Sequence, residues 1–129
     1  MHERLKGVKI GYALTGSFCT FERSFEQAEL LKKYGAELVP IMSETASSVS
    51  TRFGSAEDNR RRFEAVCGRK AIVTIAEAEP IGPQAMTDIM VVAPCTSNTA
   101  AKLAGSITDT AVTMAVMSHP RSGKPVLLA

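Results

Sequence analysis

Five consecutive apolar residues, Ile89-Met90-Val91-Val92-Ala93, stop at Pro94 and open at once into Cys95-Thr96-Ser97-Asn98-Thr99. An apolar run without alternation reads as a strand buried on both faces, and such strands belong to parallel sheets. Pro94 has no N–H to give to a ladder, so it ends the strand where the next helix begins. In open α/β sheets ligands bind at that end of the strands. Thr96, Ser97, Asn98 and Thr99 bring several donors and acceptors and no charge, which suits a polar or anionic organic ligand better than a metal. The same residues would also serve as plain caps for a helix over Ala100 to Leu103.

The rest of the chain supplies the neighbours such a strand needs. Val8 to Leu14 is a second apolar run, bounded by Gly7 and by Thr15-Gly16-Ser17. Phe21, Phe25, Ala28, Leu31 and Tyr34 then recur at helical spacing, and Gly35 marks the stop. Glu37 to Met42 reads as a strand that Pro40 confines to an edge or to a position needing no N–H. Ser43 to Ser55, rich in Ser, Thr and Gly, reads as a long loop, and a helix follows from Ser55 or Ala56 to Val66 before Gly68. Ala71 to Glu79 fits strand or helix. Helices over Asn98 to Leu103 and Thr110 to Ser118 and a strand over Pro125 to Ala129 complete the order. This alternation predicts an α/β fold, a Rossmann-like or flavodoxin-like open parallel sheet with helices on both faces.

The 129 residues fit one domain. The last strand has no helix after it to cover the sheet, so a C-terminally truncated form of a longer protein, or a partner subunit on that face, is expected. A net charge of +2 argues against nucleic acid as a partner. Arg60-Arg61-Arg62 and Arg69-Lys70 lie among Glu57, Asp58 and Glu64 and read as a solvated helix face. Three scattered cysteines, Cys19, Cys67 and Cys95, with no CxxC, support neither a disulfide framework nor a metal site. Cys95 reads as a small packed residue. Without an apolar leader or a membrane-spanning run, a cytoplasmic protein is expected.

Gly11-Tyr12-Ala13-Leu14-Thr15-Gly16-Ser17 brings backbone N–H groups and two hydroxyls to a helix start, where a phosphate binds well. It lacks G-x-G-x-x-G and the Walker pattern, and a plain βα turn fits it equally. Ser43 and Pro94 to Asn98 fall at the same end of the sheet. Lys102, four residues after Asn98, shares its helix face and either reaches an anion there or is simply exposed. His119-Pro120-Arg121 reads as a loop without a catalytic role.

Thr15-Gly16-Ser17, Met42-Ser43-Glu44-Thr45-Ala46 and Ala93-Pro94-Cys95-Thr96-Ser97-Asn98-Thr99 together resemble the motifs of the flavoprotein family that includes phosphopantothenoylcysteine decarboxylases, peptidyl-cysteine decarboxylases and flavin prenyltransferases. The resemblance implies FMN, with Gly11, Thr15, Gly16, Ser17 and Ser43 on its phosphate side and Pro94, Thr96, Ser97 and Asn98 beside its ring. It also implies a homo-oligomer, a trimer or higher, and Asn98 as a catalytic candidate. The decarboxylase branch carries a histidine eight residues before the position of Asp88; here that residue is Pro80, which cannot act as an acid or base. Glu79-Pro80-Ile81-Gly82-Pro83 and Thr51-Arg52-Phe53-Gly54 instead resemble the dipicolinate synthase branch. That branch implies oxidation of a dihydrodipicolinate-type precursor to dipicolinate during sporulation, with an A-type partner subunit that binds NADP. Arg52 offers a fork for a substrate carboxylate and Phe53 a ring wall, although a mobile surface loop fits them as well. The alternatives are a scaffold subunit that has lost flavin and an FMN-dependent decarboxylase of a cysteine-derived substrate.

Overall fold

Side-chain alternation along Lys9–Leu14 (β1) sends Ile10, Tyr12 and Leu14 to one face of a sheet and Ala13 to the other, all of them buried. β1 pairs in parallel with Glu37–Met42 (β2) on one side and Ile89–Val92 (β3) on the other, and β3 pairs in parallel with Val126–Leu128 (β4). The sheet order is β2-β1-β3-β4. The structure, a computed structural model, describes residues 4–119 and 124–129. Met1 to Glu3, and Pro120 and Arg121 of the loop expected after the last helix, lie outside the described residues. No helix among the described residues is long and apolar enough to cross a membrane.

Helices α1 (Phe21–Lys33) and α3 (Ala56–Cys67) cover one face, where Phe25 meets Phe63 at 5.9 Å and Phe63 meets Tyr12 at 6.1 Å between ring centroids. Ala78 and Ile81, on and just after the short α4 (Ile75–Ala78), pack on the other face with Val112 and Ala115 of α6 (Ala111–Ser118). They bury Ala13, Ile41, Met90 and Val92 there. This is the flavodoxin-like α/β arrangement, a parallel sheet between two helical layers.

Pro40 shows how sequence and topology agree. The Glu37 N–H bonds Val8 on the β1 side while the Met42 N–H bonds Ile72 on the outer side, so the odd residues of β2 face β1 and the even ones face outward. Pro40 therefore occupies an outward position on an edge strand, where no N–H is missed.

Three expectations change. Ser43 to Ser55 is not one loop: Glu44–Ser48 forms a short helix, α2, because the Ser43 hydroxyl accepts the Ala46 N–H at 3.1 Å and Ala46 is buried. The ambiguous stretch after Ala71 resolves into a single bridge at Ile72 and then α4, which a Thr74/Glu77 capping box starts. Gly11, expected at the cofactor, sits inside β1 instead. A Cβ there would lie 2.7 Å from the Met90 sulfur, so Gly11 makes room for the core. β4 is exposed on both faces, with Leu127 at 57%.

Candidate functional site at the carboxyl ends of the strands

The carboxyl ends of β1, β2 and β3 bring Thr15-Gly16-Ser17, Ser43 and Pro94 to Asn98 to one rim of the sheet. Their polar groups fall into two rows. In the inner row, Thr15 is buried and its hydroxyl donates to the Pro94 carbonyl at 2.6 Å while accepting the Thr96 N–H at 2.9 Å. The Thr15 N–H reaches the same carbonyl at 3.2 Å, and the Ala93–Pro94 peptide is cis. Ser43 is occupied as the cap of α2. Thr96 caps α5 (Ser97–Ala104), its hydroxyl accepting the Thr99 N–H at 3.2 Å and donating to the Thr99 hydroxyl at 3.0 Å. These three hydroxyls hold the turns together.

The outer row is different. Ser17 precedes a 3-10 turn over Phe18–Thr20 without capping it, and Ser97 and Asn98 are exposed at the start of α5. None of these three side chains has a hydrogen-bond partner among the described residues. The Gly16, Ser97 and Asn98 N–H groups are also without an acceptor among them, the last two because the first turn of any helix leaves its donors open. At Gly16 the β1 turn comes so close to α2 that a Cβ would lie 3.1 Å from the Thr45 side chain. One carboxylate stands at the rim, Glu44, and it accepts the Ala111 N–H at the start of α6 at 3.0 Å. Among the described residues the rim thus presents open, uncharged donors and an acid, Glu44, turned toward a helix start. Such a set fits a phosphate and a polar heteroaromatic ring. No local sequence signal marks Glu44, because its partner lies 67 residues away.

Arg52 and Phe53 form the exposed tip of a tight turn between α2 and α3, closed by paired Thr51 and Gly54 backbone bonds of 3.0 Å. The guanidinium lies over the Phe53 ring at 5.0 Å and has no carboxylate partner among the described residues. Lys102 pairs with Asp109 at 3.0 Å. Cys95 is half-buried in the β3 turn, and burial pushes its thiol above the usual range, so it stays a protonated packing group. Pro80 sits in a 3-10 turn that Ser118 ties down, its hydroxyl donating to the Glu79 carbonyl at 2.7 Å and accepting the Gly82 N–H at 2.8 Å. The arginine run forms ion pairs: Arg60 with Glu64 at 3.3 Å, Arg61 with Glu57, and Arg62 with Glu22.

Fold and rim define a flavodoxin-like α/β protein with a donor-rich edge at its strand ends. The Flavoprotein family profile matches residues 1–129, and the chain belongs to that family. It is 44% identical over 124 residues to the B-type subunit of dipicolinate synthase from Bacillus subtilis (strain 168), a match that covers 96% of this chain and 62% of that protein. The crystal structure of the B-type subunit of dipicolinate synthase from Bacillus halodurans C superposes with a TM-score of 0.83 at 33% identity, covering 97% of this chain and 64% of the other. Burkholderia xenovorans DmrB in complex with FMN, described as a cubic protein cage for redox transfer, gives a TM-score of 0.63 at 28% identity, covering 84% of this chain and 57% of that one. The chain therefore spans less than two thirds of the length of each of these relatives.

Proposed function

We propose that this chain is the flavin-holding part of a dipicolinate synthase B-type subunit and that its strand-end rim binds FMN. The outer row carries this reading: Ser17, Ser97 and Asn98 are open donors on an edge whose acid, Glu44, is turned to a helix start, in a family whose relatives include an FMN complex. The Gly16 N–H and the Ser17 hydroxyl meet the phosphate, backed by Thr15 and Ser43, whose hydroxyls fix the turns. Pro94, Thr96, Ser97 and Asn98 border the ring. Bound there, FMN supplies a two-electron acceptor or donor.

The substrate of the assembled enzyme is a dihydrodipicolinate-type dicarboxylate, which loses two hydrogens to become dipicolinate during sporulation. An A-type partner subunit contributes NADP, and the B-type chains assemble as a trimer or higher oligomer. Arg52 holds one substrate carboxylate in its planar fork, and Phe53 walls the ring. Asn98 donates a hydrogen bond to the reacting pair at the rim. Pro80 offers no proton at the position where the decarboxylase branch carries a histidine. The 44% identity to a protein named for dipicolinate synthase favours this chemistry over decarboxylation. The discriminating experiment is an assay of the reconstituted complex: FMN-dependent formation of dipicolinate supports the reading, and carbon dioxide release from a cysteine-derived acid without dipicolinate formation overturns it.

A further inference from the structure

At the opposite end of the sheet, where β1 and β2 begin, a cavity of about 440 Å³ is lined by Lys9, Lys32, Glu37, Leu38, Cys67 and Arg69, among others. That volume lies within the range of small-molecule sites. Lys32 and Arg69 have no carboxylate partner among the described residues, while Lys9 donates to the Ala85 carbonyl at 2.6 Å. Glu37 is the one acid in the lining. The Cys67 thiol is 4% exposed and pushed up to about 12 by burial, so the thiol in the lining is neutral.

An independent observation comes from the edge of β2. The alternation that turns Pro40 outward also turns Leu38 outward, on the stretch of edge below the Ile72 bridge. Leu38 is 1% exposed, and its N–H meets no acceptor among the described residues. Buried backbone donors are nearly always paired. Here the unpaired donor belongs to a residue that lines a cavity with three cationic side chains. Its C=O shares that direction, which a hydroxyl or amine beside an acid group would satisfy.

We propose that this cavity binds a small oxyanion-bearing ligand, a phosphate or a hydroxycarboxylate, through Lys32, Arg69 and the Leu38 N–H. The site lies at the other end of the strands from the flavin rim and does not depend on it. Amide and arginine side-chain resonances of the full chain are followed by NMR while inorganic phosphate, or separately L-malate, is added. The expected result is saturable shifts at Leu38 and at the Arg69 side chain, weakened about tenfold in Arg69→Gln and in Lys32→Ala. Saturation with phosphate alone assigns a phosphate ligand, and saturation with malate alone assigns a hydroxycarboxylate. Saturation with both supports shared oxyanion recognition. The proposal is overturned if neither probe saturates, if saturable shifts are confined to residues 15–17 and 97–98, or if both variants titrate like the parent chain.

Discussion

The inner and outer rows of the rim use the same kinds of residue for opposite ends. Thr15, Ser43 and Thr96 spend their hydroxyls on backbone groups of the chain itself, whereas the Ser17 and Ser97 hydroxyls and the Asn98 carboxamide stay open among the described residues. Partnering separates the two rows more sharply than burial does: Thr15 is 1% and Ser43 7% exposed and Ser97 and Asn98 lie on the surface, while Thr96 and Ser17 are both half-buried and differ only in having or lacking a partner among the described residues. A polar residue beneath a turn must find a partner inside the protein, and one at the lip of the turn can wait for a ligand. The inner row is therefore expected to govern stability and, through the turns it holds, binding as well, and the outer row affinity alone.

The sharpest way to break that division is Thr15→Val. It removes the acceptor of the Thr96 N–H and one of the two donors to the Pro94 carbonyl. Leaving such a group unpaired costs roughly 1–3 kcal/mol. Urea unfolding is expected to show a loss of that size together with loss of FMN binding, and Thr15→Ser is expected to retain most of both. If Thr15→Val lost FMN at unchanged stability, the hydroxyl would belong to the outer row.

Asn98→Ala and Ser17→Ala probe the other side. Each should weaken FMN binding about tenfold, the loss of one good hydrogen bond to the ligand, and leave the unfolding free energy within about 0.5 kcal/mol, as for an ordinary surface substitution. A fall in stability without a change in affinity would exchange the rows. Arg52→Ala, outside both rows, is expected to raise the KM for the dicarboxylate about tenfold in the assembled enzyme. Its flavin content should not change.

The smallest effect concerns pH and arises away from the rim. His119 is buried, with Nδ1 2.7 Å from the Thr87 hydroxyl, and burial holds its pKa below the ordinary 6.5. The unfolded chain thus takes up this proton before the folded one does, and stability falls as pH drops below 6.5. Lys124 opposes the charged form and Asp88 favours it. The loss from this group between pH 6.5 and 5.5 is at most about 1 kcal/mol. It should be absent from a His119→Gln chain that folds, so that it appears in the difference between parent and variant, and persist in Asn98→Ala.

Much of this was legible in the sequence because it depends on local rules. The apolar run ending at Pro94, the helical spacing from Phe21 and the tolerance of Pro40 on an edge each follow from one strand or one helix. One helix left open and one missed also had local marks: Thr74-Ile75-Ala76-Glu77 is a capping box, and Ser43 ahead of Glu44 is a helix cap. What could not be read was set by distance. That Gly11 lies under Met90, that Thr15 spends its hydroxyl on Pro94, and that Glu44 turns to Ala111 depend on contacts 67 to 79 residues apart. Motif spacing brought the right residues to the rim without telling which would hold the protein and which its ligand.

Fluorescence titration of FMN into the full chain, repeated in Asn98→Ala and Thr15→Val, tests the central claim most directly. The account predicts saturable quenching at one FMN per chain, weakened about tenfold in Asn98→Ala without loss of stability and abolished in a destabilised Thr15→Val. Absence of saturable binding to the parent chain, or equal affinity in all three proteins, would contradict it.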